Sequence, residues 1–312
     1  MSGGLVLVGR EQFRRSLVES ALDEAGLEWA LLEEPGARAD QLLERAVALV
    51  VPPERILSED EVGRARELRA VVSPVIGTNH LPLKALAHRG VPVAHGAAPE
   101  NYVGMAEAAV GLMLSIVHHL KVKEANLLNR EARLTDVGGL LSTRTIGLVG
   151  LGRIGRAVAE RLTAFGCRLV GSDPQVDEVH GVEVLPLAEL LRVSDVISIQ
   201  VPLTDDSRAL LDTAAFQTVK PGAFVVNIGR GGVVDEVALA EALDRGHVAG
   251  AAIDVWADEP PPPDHPLLGR TDVIATLHNA GHSNEAYDRL ARLSVEQVTR
   301  LLAGREAVYP VG

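Results

Sequence analysis

The sequence predicts an α/β protein of two open parallel sheets, each with helices on its faces. Three observations predict it. Short apolar, β-branched runs alternate with helical stripes through residues 1–95, and again through residues 144–278. A glycine signature, Gly150-x-Gly152-x-x-Gly155, stands between one such run and one such stripe. A long helical pattern over residues 101–129 joins the two series, and a last helix, Asn284–Leu302, is placed to return to the first. At 312 residues the chain can hold two ordinary cores.

In the first series, residues 5–8 read as a strand, and Phe13, Leu17, Val18 and Leu22 form a helical stripe that Gly26 ends. Trp29–Leu32 is a second strand, residues 40–45 a helix, and residues 47–51 a third strand stopped by Pro52 and Pro53. Ser58, with Glu61 three positions on, is a capping box. Ala70–Ser73 and residues 91–94 complete five strands. Gly9 follows the first strand, but Arg10-Glu11 continues without a phosphate-binding pattern. The domains expected are 1–95 with 283–312, and 96–282, joined by paired crossings that leave a cleft.

The second series opens on a strand over residues 145–149. Gly150 permits a tight turn, Gly152 lets the backbone approach a pyrophosphate, and Gly155 lets helix and strand pack closely. Arg153 and Ile154 begin the helix, whose free N–H groups and positive dipole end attract phosphate. Ile154, Val158, Leu162 and Phe165 share its buried face, and Gly166 stops it. Asp173 ends the next strand, eighteen residues beyond Gly155, where a carboxylate accepts from an adenosine ribose and repels a 2′-phosphate. The cofactor expected is therefore NAD. Later strands are expected over residues 196–201, 223–228, 249–255 and 273–277, and residues 260–263, all proline, form an extended loop.

A net charge of −12 argues against nucleic acid and anionic membrane as partners. Cys167, the one cysteine, excludes an internal disulfide and reads as a small buried residue. The N-terminus lacks a basic stretch before its apolar run, and no run spans a bilayer, so a cytoplasmic protein is expected.

Three loops fall where strands of the second series end, the edge at which open α/β sheets bind ligands. They carry Arg230, Glu259 and His278. An arginine binds a carboxylate bidentately and polarises a neighbouring carbonyl. A histidine moves protons near neutral pH, and an adjacent carboxylate favours its charged form. Beside a nicotinamide, these three groups on neighbouring loops make a hydride-transfer site. His278 and His282 have the spacing of a helical metal pair, but Gly281 and the preceding strand argue against a helix, so no metal is expected. His118 and His119, on the long helix, read as surface or subunit contacts.

The run Val201-Pro202-Leu203-Thr204, the triplet Lys220-Pro221-Gly222, the stretch from Asn227 to Asp235, the stretch from Gly250 to Val255 and Glu259-Pro260 together resemble the D-isomer-specific 2-hydroxyacid dehydrogenases. The resemblance implies a flavodoxin-like substrate domain and a Rossmann NAD-binding domain. It implies Arg230, Glu259 and His278 as catalytic groups and Asp254 facing the nicotinamide. Val201, Pro202, Thr204, Ile228, Gly229, His278 and Ala280 would line the cofactor. Val75, Ile76, Gly77, Asn101 and Arg230 would hold the substrate. A homodimer is also implied.

The chain departs from the family pattern at Val75, where glycine is expected, at Asn79 in place of aspartate, and at Gln200 in place of a common histidine. Leu277 replaces the proline before the histidine, which should loosen that turn. These changes leave the substrate's side chain open. Ending at Gly312, the chain has no room for the regulatory domain of some relatives, so feedback of that kind is not expected. The rival readings are an NAD(H)-sensing corepressor of the same fold, and an enzyme oxidising formate or phosphite. Glu259, where the formate branch has glutamine, points away from formate.

Overall fold

The computed structural model describes residues 4–9, 15–32, 36–130 and 137–311. Phe13, Arg10 and Glu11 lie outside the described residues. The chain divides into two compact units, residues 1–101 with 282–312, and residues 102–281.

The first unit contains β1 (Leu5–Gly9), α1 (Arg15–Glu24), β2 (Trp29–Leu32), α2 (Ala37–Arg45), β3 (Ala46–Val50), α3 (Glu59–Arg64), β4 (Ala70–Ser73), α4 (Leu83–His88) and β5 (Val93–His95). Its five strands are parallel, in the order β2-β1-β3-β4-β5. Alternation along each strand divides the core. Val6, Val8, Val50 and Val72 meet Val18 and Leu22 of α1, whereas Leu5, Leu7, Leu49 and Val71 meet Leu43, Val62 and Leu86 of α2, α3 and α4. With both faces covered, β1 and β3 are buried at every position, as parallel strands are. The Ser58–Glu61 capping box forms as expected. The fifth strand starts two residues later than expected, at Val93, because Pro92 precedes it.

The joining pattern is not one helix. The structure has α5 (Pro99–Val117) and α6 (Leu120–Leu128), bent by 53° at the break. His119 adopts a left-handed conformation there (φ 54°) and sets its ring edge against Phe224. His118 and His119 therefore mark a corner rather than a continuous face. No single helix among the described residues is long and apolar enough to cross a membrane.

The second unit continues with β6 (Thr145–Val149), α7 (Arg153–Thr163), β7 (Arg168–Ser172), β8 (Glu183–Val184), α8 (Leu187–Val193), β9 (Val196–Ile199), α9 (Thr213–Thr218), β10 (Ala223–Asn227), α10 (Glu236–Asp244), β11 (Val248–Ile253) and β12 (Val273–Ala275). Its seven parallel strands run β12-β11-β10-β9-β6-β7-β8, so the strand order reverses between β6 and β9. That is the switch point at which doubly wound sheets bind dinucleotides. Two buried cores flank it, one under α8, α9 and α10 and one under α5 and α7. Four strands end one or two residues earlier than their apolar runs, because the last residues turn away to form the loops of the site. Cys167 is half-buried against the second core, and burial pushes its thiol up. Finally α11 (Asn284–Leu302) packs on α1 and β4 in the first unit.

Asp195 ties the N-terminal edge of the larger sheet. Burial works to raise its carboxyl, but bonds from Lys220 Nζ and the Thr145 N–H, both 2.8 Å, and the charges of Lys220 and Arg144 outweigh it. The group is held below the usual carboxylate range. Its contribution is therefore present above the unfolded value, about pH 4, and is lost as pH falls through the folded one. Asp195→Asn should lower the urea midpoint at pH 7, with the gap between the two proteins closing as pH falls below about 4. A gap of constant size would mean the charge is not the cause.

Candidate active site

The strands β10, β11 and β12 are neighbours, so their C-terminal loops lie side by side. Each brings one candidate group. After β10, Asn227 closes the loop on itself: its Oδ1 accepts from Gly229 N–H and its Nδ2 donates to Arg230 O, both at 3.1 Å. Arg230 is thereby presented from a braced backbone, with its Nη1 donating to Gly229 O at 2.7 Å. Gly231 follows because nothing larger fits: a Cβ there would lie 1.8 Å from the Trp256 carbonyl carbon.

After β11, Asp254 is fully buried and organises the next loop. Its Oδ1 accepts from Thr276 Oγ1 at 2.6 Å and from the amides of Asn279 and Ala280 at 3.0 Å. Its backbone oxygen accepts the His278 N–H at 2.6 Å, and His278 sits in the left-handed region at φ 51°. The turn that Leu277 was expected to loosen is pinned by this aspartate instead. Sequence reasoning assigned Asp254 to the cofactor and missed its structural part; the hydroxyl of Thr276 was the available signal.

Glu259 and His278 meet at 2.9 Å, Oε2 to Nδ1, while Glu259 Oε1 accepts the Trp256 N–H at 3.1 Å. Burial tends to raise the Glu259 carboxyl. The bonds from His278 and Trp256, with the charges of His278 and Arg230, more than offset that and hold it below the usual range. Burial also lowers the Arg230 guanidinium, opposed by Glu259; an arginine starts so far above neutral pH that it stays charged. With Nδ1 engaged, His278 keeps Nε2 for a substrate. Arg230, Glu259 and His278 line one open pocket of about 310 Å³, together with Leu203, Arg208, Trp256 and the backbone of Gly231 and Gly232.

The glycine turn sits at the end of β6. Gly150 has φ +97°, and a Cβ on Gly155 would lie 2.1 Å from Gly150 O, so both positions exclude side chains. Gly152 caps α7 without a side-chain bond, and a Cβ there would meet nothing within 4 Å. The first amides of α7 are thus uncapped by any side chain and open to a ligand. Arg153 is exposed and Ile154 half-buried beside this turn. The Asp173 carboxylate accepts from Leu151 N–H at 2.8 Å and Gln175 N–H at 2.9 Å, which holds it at the turn.

The other expected residues divide. Val201, Pro202 and Thr204 follow β9, where Ser207 Oγ donates to Pro202 O and accepts from Thr204 N–H. The Ile228 side chain is buried in the core under α5 and α7, so only its backbone can face a cofactor. Gly229 is buried, and the Ala280 amide is committed to Asp254. Val75, Ile76, Gly77 and Asn101 belong to the first unit. There the Ser73 hydroxyl bonds to the carbonyls of Val75 and Gly77 at 3.0 Å, and Asn101 Nδ2 donates to Gly96 O at 3.3 Å. No cluster of three or more His, Cys, Asp or Glu able to hold a metal occurs among the described residues.

Residues 110–280 match the family profile described as D-isomer specific 2-hydroxyacid dehydrogenase, NAD binding domain. The chain belongs to this family. It is 34% identical over 312 residues to a D-3-phosphoglycerate dehydrogenase of Mycobacterium bovis, an alignment covering 97% of this chain and 58% of that protein. The TT0316 protein of Thermus thermophilus superposes with a TM-score of 0.89 at 33% identity, covering 99% of this chain and 100% of that one. A D-lactate dehydrogenase of Treponema pallidum superposes with a TM-score of 0.85 at 26% identity, covering 99% of both. The chain spans between 50% and 58% of the length of the curated relatives it matches.

NAD fits the residues present. The turn at Gly152 is an open cradle over uncapped helix amides. At the end of β11, Asp254 Oδ2 is buried without a hydrogen-bond partner, an acceptor suited to a carboxamide N–H. Gly150, Gly152, Arg153, Ile154 and Gly155 would hold the pyrophosphate, Asp173 the adenosine ribose, and Asp254 the nicotinamide.

Proposed function

We propose that this dehydrogenase-family protein interconverts a 2-keto acid and its D-2-hydroxy acid with NAD(H). The observation that carries the reading is the 2.9 Å contact between Glu259 and His278 in one pocket with Arg230. Bound NADH supplies a hydride to the carbonyl carbon. Arg230 orients the substrate and polarises its keto oxygen. The His278 Nε2 donates the proton that this oxygen takes up as the hydride arrives, and Glu259 stabilises the imidazolium beforehand. Solvent then reprotonates the ring. In the oxidative direction the neutral ring takes the hydroxyl proton instead. Asp173 favours NADH over NADPH by repelling a 2′-phosphate.

The same reading gives the backbone amides of Val75, Ile76 and Gly77, with Asn101, to the substrate's carboxylate end. It includes a cytoplasmic enzyme and a homodimer through the cofactor-binding unit. Leu127 and Leu128 on α6, each 76% exposed, support the dimer by offering an apolar face.

The test is NADH oxidation against glyoxylate, hydroxypyruvate, pyruvate, a branched and an aromatic 2-keto acid, and phosphohydroxypyruvate. Turnover of at least one is expected. Silence across all of them, with NADH still bound, would replace the enzyme by a sensor.

A further inference from the structure

A second histidine–glutamate pair lies behind the first and has no part in the chemistry above. His265 Nε2 and Glu236 Oε2 are 2.9 Å apart, with side chains only 10% and 11% exposed. The His265 Nδ1 accepts the Leu267 N–H at 3.3 Å, which leaves the ring proton on Nε2, aimed at Glu236. The other oxygen of Glu236, Oε1, accepts the Ala257 N–H at 2.8 Å. Glu236 stands in the first turn of α10, where the helix dipole favours a carboxylate.

The neighbouring Trp256 connects this pair to the site. Its ring meets the His265 ring edge-on, with centroids 5.2 Å apart. Its amide N–H goes to Glu259, and its indole N–H goes to Thr276 O at 2.8 Å, two residues before His278. Trp256 itself is 4% exposed. Burying a carboxylate and an imidazole together is a poor way to gain stability, since apolar side chains of the same volume do as well or better. What the pair does supply is direction. Beyond the Leu267 N–H that fixes the imidazole, its contacts end on the Ala257 N–H, between β11 and Glu259, and on the Trp256 ring.

We infer that Glu236 and His265 are positioning residues for the acid–base pair. They hold the backbone at Trp256 and Ala257 so that Glu259 reaches His278 and the His278 loop stays docked on the indole. A shift of this backbone would lengthen the Glu259–His278 contact, although neither Glu236 nor His265 lines the pocket. For its kinetic consequence the inference rests on the reading of that pair given above.

The experiment compares His265→Leu, His265→Gln and Glu236→Gln, each alone and combined with Glu259→Gln. His265→Leu should lower kcat for 2-keto acid reduction about tenfold, the lower end of the loss found when an outer support of a catalytic ligand is removed. KM and NADH affinity should change less than about twofold, because the substituted side chain lies outside the pocket. In His265→Gln the amide N–H can replace the Nε2 donor, so most of the rate should return. With Glu259→Gln already present, His265→Leu should cost little more, since the contact it protects is gone.

A second readout needs no turnover. In His265→Leu the His278 ring-proton NMR titration should move towards lower pH, in the direction that Glu259→Gln moves it. Arg208, Arg230 and Glu259 share the pocket with His278, and the Asp254 carboxylate bonds the amides that follow it; Glu259 lies on the braced segment itself, and Arg230 adjoins that segment through Gly231. Equal losses with and without Glu259, or an unmoved His278 titration, would reduce the pair to general stability and overturn the inference. If the unaltered protein reduces no 2-keto acid, the functional reading fails and the titration alone decides the brace. Should His265→Leu not fold, Glu236→Gln, which keeps the shape of the side chain, takes its place in both measurements.

Discussion

Replacing His278 by alanine is expected to lower 2-keto acid reduction by at least about a hundredfold, the lower bound of general acid–base catalysis. The side chain is 43% exposed and its ring bonds to Glu259, so its removal leaves no buried group unpaired except at the rim of the pocket. The backbone amide of residue 278 still reaches Asp254 O, and alanine must adopt the same left-handed φ of 51°. The fold should therefore persist, since the cost of the left-handed backbone is already borne with histidine at this position. NADH affinity, measured by fluorescence titration, should change little. Retention of near-normal turnover would show that another group delivers the proton.

Replacing Glu259 by glutamine is expected to have the next largest effect. The glutamine keeps the shape and can still accept from Trp256 N–H, but the charge-assisted bond to His278 is lost. Bonds of this kind contribute about 1.5–3 kcal/mol, or roughly a tenfold to hundredfold loss at about pH 8. The sign of the pH effect follows from which form the carboxylate favours. It stabilises the imidazolium, the form that donates in reduction, so without it His278 gives up its proton at lower pH. The alkaline limb of the reduction profile should then move down in pH. The acid limb of the oxidation profile, which reports the same ring losing its proton, should move the same way. A reduction limb that stays in place would separate Glu259 from His278 in function despite their contact.

Much of this is legible in the sequence because the relevant signals are local. The glycine spacing needs only a strand, a turn and a helix in succession, and Gly150 and Gly155 exclude side chains as that spacing implies. The capping box at Ser58 is a four-residue event. The alternation of strands and helices requires parallel sheets, since parallel neighbours need a crossover between them. The long helix reads as unbroken because residues 100–128 carry no proline and no glycine at the break. What breaks it is His119, turned left-handed with its ring against Phe224, far along the chain.

By itself, then, the sequence determined the class of fold, the place of the glycine cradle and the three residue types at three strand ends. Tertiary structure alone decided how those ends cooperate. The loops after β10, β11 and β12 come together because their strands are adjacent in the sheet, although Arg230 and His278 are far apart in the chain. Asp254 holds the His278 turn from the neighbouring strand, and Glu236 and His265 support the Glu259 loop from α10 and beyond. The physical reason is the range of the forces. Turn and helix preferences act over a few residues, whereas a buried carboxylate takes its hydrogen bonds from whatever the packed sheet brings within about 3 Å.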